Sequence, residues 1–264
     1  MPATEESGDD ALYVLTAVLL TPAQFPSVLG DDYPEVCAAL GLEPYDVGYG
    51  LVLGQDGRGA RWTVVTDDVS LVACAIATWD CGMEYDLSLN ERTVVASLPG
   101  WPLAVAVAAP GVPAPHDPEP DPKLGHTARP PLAPPDSERW GPAQRRLGAD
   151  EIALQWAIWR EQVDSDVTFV APGEKPHTGV RRVLEEVRGY LHTPPPLGRV
   201  RSAFAAGDAR TLRADGPGWS MVARTDDIAF VLLDDEPGEV LPVGRGPELP
   251  GLLTALDELA VRPH

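Results

Sequence analysis

Eleven prolines fall between Pro110 and Pro142 of this 264-residue chain, in "APGVPAPHDPEPDPKLGHTARPPLAPPDSERWGP". Proline fixes φ and lacks the N–H that helices and sheet ladders need. The few large apolar groups in the stretch offset little of the entropy of ordering it. Residues 109–142 therefore read as an extended Pro-rich linker, and the chain is predicted to fold as two pieces. The fragment "RPPLAPP" also has the form of a polyproline II ligand, although a spacer accounts for the composition by itself.

The same order of signals stands on either side of that linker. "WTVVTDDVSLV" begins at Trp62 and "WSMVARTDDIAFV" begins at Trp219, with Asp67-Asp68 and Asp226-Asp227 lying 159 residues apart. Asp-Gly turn signals precede both, in "GQDGRG" and "DGPG". Val95, Pro99 and Pro102 recur as Val243, Pro247 and Pro250, at an offset of 148. Three matches in one order point to an internal duplication. Each Asp-Asp pair is followed by an apolar run that reads as a strand, and its carboxylates read as turn formers.

Around these anchors, "ALYVLTAVLL" and "SDVTFVAP" are strands by composition. Thr21, Pro22 and Gln24 form a capping-box signal, and Gly41 suits the position just past a short helix in "YPEVCAALG". In "TGVRRVLEEVRGYLH", Val180, Val183, Leu184, Val187, Tyr190 and Leu191 share one helical face. "ELPGLLTALDELA" is a second clear helix. The predicted class is α+β: two related units of about β-α-β-β-β-β-α, each an antiparallel sheet covered by helices on one face, packed as a pseudo-dimer. The expected boundaries are an acidic N-terminus at 1–11, a first unit at 12–108, the linker at 109–142 and a second unit at 143–264. An unmatched amphipathic helix, residues 149–163, leads the second unit with Ile152, Trp156, Trp159 and Val163 in a stripe. Trp156 and Trp159 are packing anchors or, on the partner-facing reading, a binding surface.

No nucleotide loop, dinucleotide fingerprint, nucleophile elbow, zinc-protease motif or calcium loop occurs. Cys37, Cys74 and Cys81 have no matching histidine cluster, so neither a metal nor a cofactor is expected, and no catalytic residue is assigned. The candidate ligand site is the start of the 178–190 region, where Lys175, His177, Arg181 and Arg182 precede or open a helix. Free amides and the helix dipole there favour an anion.

The chain carries 40 acidic against 20 basic residues, a net charge of −20. Such a field repels nucleic acid and favours basic partners. No stretch of eighteen apolar residues would span a membrane, and the acidic start "MPATEESGDD" lacks the basic head of a signal peptide, so a cytoplasmic protein is expected. Seven arginines between Arg181 and Arg213 invite docking against the acidic first half. The expected function is a non-enzymatic protein-binding or regulatory role with a partner of basic surface, as a monomer with internal pseudo-symmetry or a weak homodimer. Rival readings are a hydrolase or transferase using the anion site around His177, Arg181 and Arg182, and an immunity-type or decoy protein for a basic toxin or DNA-binding factor.

Overall fold

The computed structural model describes residues 12–23, 33–57, 59–80, 89–102, 123, 142–166 and 175–262. The linker, apart from Lys123 and Pro142, and the strand expected in "SDVTFVAP", apart from its first two residues, lie outside the described residues. The class is α+β with two antiparallel sheets. The chain divides into two compact units: residues 1–21 with 47–134, and residues 22–46 with 135–264.

The first unit holds a sheet in the order β1-β2-β3-β4, comprising β1 (Tyr13–Leu20), β2 (Tyr49–Gln55), β3 (Arg61–Thr66) and β4 (Val94–Pro99). Helix α2 (Val69–Asp80) covers one face, with Ala17, Val52, Val64 and Val72 as the buried centre. Here the chain departs from expectation, because the run after Asp67-Asp68 is helical rather than a strand. The Asp68 carboxylate accepts from the Leu71 N–H at 3.0 Å and from Ser70 Oγ at 2.9 Å, which caps the helix start. The alanine-rich run "VSLVACAIATW" then propagates it. Gly50 lets α2 approach: a Cβ there would stand 2.4 Å from Val72 Cγ2.

The second unit takes in α1 (Tyr33–Leu40) from early in the chain. Gly41, at φ 69°, ends that helix in the left-handed conformation its sequence position predicts. The unit's sheet runs β5-β6-β7-β8-β9: β5 (Val200–Phe204), β6 (Arg210–Gly216), β7 (Trp219–Arg224), β8 (Ala229–Leu233) and β9 (Leu241–Val243). Helices α3 (Pro142–Leu154), α4 (Trp156–Asp166), α5 (Thr178–Tyr190) and α6 (Leu249–Leu259) complete it.

Helices lie on both faces of this second sheet, not one. Val180, Val183 and Val187 of α5 and Leu252, Leu253 and Leu256 of α6 pack on Leu212, Trp219, Met221 and Val231. On the opposite face Ala149, Ile152, Trp156 and Val163 pack on Val222, Phe230 and Leu232. The cause is visible in β8, whose five residues are all buried. A strand covered on both sides has no polar alternation, and "AFVLL" has none. Leu191, expected on the buried stripe of α5, falls beyond its last turn and is exposed.

In each sheet a tryptophan stands across from a glycine, although the loops between the paired residues differ in length. Trp62 lies directly across from Gly54 in the β2–β3 pair, and Trp219 directly across from Gly216 in the β6–β7 pair. Thr63 and Ser220, which follow the two tryptophans, are both buried. Gly216 has a specific reason to be glycine, since a Cβ there would stand 2.3 Å from the Trp219 indole. The second turn differs from expectation, because Asp215 and Gly216 belong to β6 and the reversal is made by Pro217 and Gly218. Proline pre-sets its own φ, and Gly218 supplies a φ of 75°. After β7 the chain turns at Asp226-Asp227 directly into β8, where Arg224 N–H bonds the Ile228 carbonyl at 3.2 Å.

Candidate functional site

The sequence-predicted anion site gathers at the start of α5. His177 is the N-cap: its Nδ1 accepts from the Gly179 N–H at 3.2 Å, and its Nε2 lies 3.3 Å from the Glu236 carboxylate. Both ring nitrogens are thus engaged, so the imidazole serves the fold locally. Arg182 approaches Asp235 at 3.5 Å. Lys175 and Arg181 are exposed. The turn after β8 sets Glu236 against His177 and Asp235 against Arg182, so an incoming anion meets acids already in place.

Trp156 and Trp159 face inward. Trp156 is 8% exposed, stands edge-on to Phe230 with ring centroids 5.3 Å apart, and places Nε1 3.3 Å from Asp227. Trp159 packs partly buried on the same cluster. Asp227 also receives Arg160 Nε at 3.0 Å, while Arg224 clamps Asp226 at 2.9 and 2.7 Å. The Arg224 hydrogen bond holds the Asp226 carboxyl below its ordinary pKa. Within the turn Asp226 and Asp227 therefore point to different arginines. Among the described residues no group of three or more histidine, cysteine or acidic side chains converges as a metal site.

A charged cluster absent from the sequence expectations lies inside the second unit. Asp215 is fully buried, and its carboxylate takes Arg213 Nε at 3.1 Å, Arg201 Nη2 at 3.4 Å and the Ser220 hydroxyl. Arg213 reaches on through Nη1 to Asp150 of α3. The Tyr190 hydroxyl donates to the Asp215 carbonyl at 2.9 Å, and the Tyr190 ring stacks on Trp219. Two guanidiniums and two carboxylates balance in charge, which suits a dry interior better than either sign alone. The one signal for it in sequence is the alternation Arg213, Asp215 on a strand, which places both side chains on one face.

The arginines of the 181–213 stretch mostly find acids within their own unit. Arg188 pairs with Glu248, Arg210 approaches Asp257 at 3.7 Å, and Arg201 and Arg213 share Asp215. Arg199 meets Glu35 of α1 at 3.3 Å, and Arg146 meets the same carboxylate at 2.9 Å. The Tyr33 hydroxyl donates to the Tyr45 carbonyl at 2.6 Å and accepts from the Tyr45 N–H at 2.9 Å, which fastens α1 to the loop that follows it.

Compared with models of protein families, with curated proteins and with solved structures, the chain matches none. Among the described residues no helix is long and apolar enough to cross a membrane.

Proposed function

We propose that this is a non-enzymatic binding or regulatory protein, built from a duplicated α+β unit, whose partner presents a basic surface. One observation carries the reading: a net charge of −20 in a chain whose arginines are largely engaged by its own carboxylates. Internal pairing removes cations from the surface and leaves the acidic excess to face solvent, where it steers basic partners inward. The ordered recurrence of the Asp-Gly, tryptophan and Asp-Asp signals is what supports the duplication. The pseudo-dimeric arrangement and a cytoplasmic setting belong to the same proposal.

An anion-using enzyme centred on Lys175, His177, Arg181 and Arg182 draws less support, because Asp235 and Glu236 stand against the cations it needs. The test is recovery of the tagged full chain from its native host, followed by affinity measurements on any stoichiometric partner. A basic partner whose binding weakens steeply toward 1 M salt is expected, since the screening length there falls to about 3 Å. An acidic partner, or affinity indifferent to salt, overturns the reading.

A further inference from the structure

Helices α3 and α4 carry apolar residues on two opposite sides. Their inner side, Ile152, Trp156 and Val163, is buried on the second sheet. Their outer side presents Leu147 at 38%, Leu154 at 64% and Ile158 at 55% exposure. The helical path runs nearly unbroken through the junction, where Gln155 N–H bonds the Glu151 carbonyl at 2.9 Å and Trp159 N–H bonds the Gln155 carbonyl at 3.2 Å. At 100° per residue, positions 147, 154 and 158 fall within about 40° of one another, a single straight ridge. Leu147 to Ile158 spans about 16 Å, or three turns at 1.5 Å per residue. Water-facing apolar ridges of this regularity mark binding surfaces.

The charge around the ridge selects what covers it. Between residues 147 and 163 the acids are Asp150, Glu151 and Glu161, and the sole base is Arg160. Arg160 is turned to Asp227. Glu151 and Glu161 are exposed, and Glu151 lies on the ridge itself. A second copy of the chain would bring the same acids, and a further charge of −20, against this face.

We infer that the outer face of α3 and α4 is the docking surface for a helix of a partner protein, one with an apolar ridge flanked by lysines or arginines. Its ridge packs along Leu147, Leu154 and Ile158 as helices pack along their side-chain rows, and its cations sit over Glu151. This rests on the proposed basic partner and names the face that receives it. On this proposal Trp156 and Trp159, read from sequence as the alternative binding surface, instead anchor the helix to its own sheet, and the leucine–isoleucine ridge makes the contact.

The experiment uses the full chain and a fluorescent amphipathic peptide of about 18 residues, or five helical turns, with leucines on one side and lysines on the other. A second peptide keeps the lysines and replaces the leucines by serine. Fluorescence anisotropy is expected to show the leucine–lysine peptide binding the wild-type chain, and binding at least about tenfold weaker to the Leu154→Ser, Ile158→Ser double variant. Both residues are exposed, so the variant is expected to keep its thermal midpoint, and Glu151→Lys offers a second variant that alters charge alone. Equal affinity for wild type and double variant overturns the docking face while the basic-partner reading stands. Failure of both peptides to bind overturns both. A wild-type dimer in light scattering, dissolved by the double variant, overturns the heterotypic occupant in favour of a second copy.

Discussion

Replacing Asp215 by alanine withdraws the carboxylate shared by Arg201 and Arg213, whose side chains are buried. A buried charge left without its counter-charge costs about 3–5 kcal/mol. Chemical denaturation of Asp215→Ala is expected to show a loss of that size, and a loss near that of an exposed aspartate would remove the cluster from the account of stability. Ser220→Ala deletes one neutral donor to the same carboxylate and is expected to cost roughly 1 kcal/mol. The cysteines give a second residue-scale prediction. Cys37 is buried and burial raises its thiol pKa, whereas Cys74 on α2 is exposed. Because the thiolate is the reactive form, alkylation of the native chain is expected at Cys74 before Cys37, which is reached on unfolding. Mass mapping of the alkylated peptides decides it. Asp226 adds a pH dependence of known sign. Its folded pKa lies below the ordinary value, so its contribution is present above that ordinary value and is lost as pH falls through the folded one. Exposure and solvent screening keep that contribution small.

At the scale of elements, legibility followed the physics of burial. Helices α5 and α6 announced themselves because each buries one stripe, so their apolar residues recur at helical spacing. Helix α2 did not, because "VSLVACAIATW" is apolar on every side and periodicity is silent there; its one signal is Asp68 as a cap, and an Asp-Asp pair equally has the form of a turn. The same dipeptide starts a helix in one unit and closes a strand turn in the other, since Asp68 finds the Leu71 amide while Asp227 finds Arg160. Asp215 likewise has the form of turn chemistry in "DGPG", because sequence cannot display the three donors that hold it. Of the candidate site, the position of His177 at a helix start was legible, and the facing acids of the next turn were not, being about 60 residues away in sequence. Two element-scale outcomes follow. Gly50→Ala forces Val72 from its place and is expected to destabilise the first unit by about 1–3 kcal/mol, the range of overpacked cores, in a denaturation curve. Glu35→Ala removes the carboxylate met by Arg146 and Arg199 and is expected to loosen α1, read as faster amide exchange across residues 33–40.

For the whole molecule, charge is the dominant fact. With a sequence pI near 4.5, the repulsion that keeps copies apart at neutral pH fades as carboxylates protonate. Turbidity is expected to rise as the pH approaches that value and to fall again below it. Resistance to precipitation there would mean that apolar surface, the ridge on α3 and α4 included, contributes little to self-association.

The place of α1 also sets an order of events during synthesis. Its residues leave the ribosome early, yet Arg199, which grips Glu35, is added 164 residues later. At 5–20 residues per second that interval is roughly 8–30 s. The sheet from β5 to β9 pairs each strand with its sequence neighbour, so it forms by local contacts once made. Through the wait the Glu35 carboxylate has neither Arg146 nor Arg199 to meet, and in a stalled nascent chain ending before residue 142 amide exchange across residues 33–40 is expected to be faster than in the finished chain. The ion pairs that fasten α1 are thus closed long after the helix itself is made, once Arg146 and Arg199 have been added.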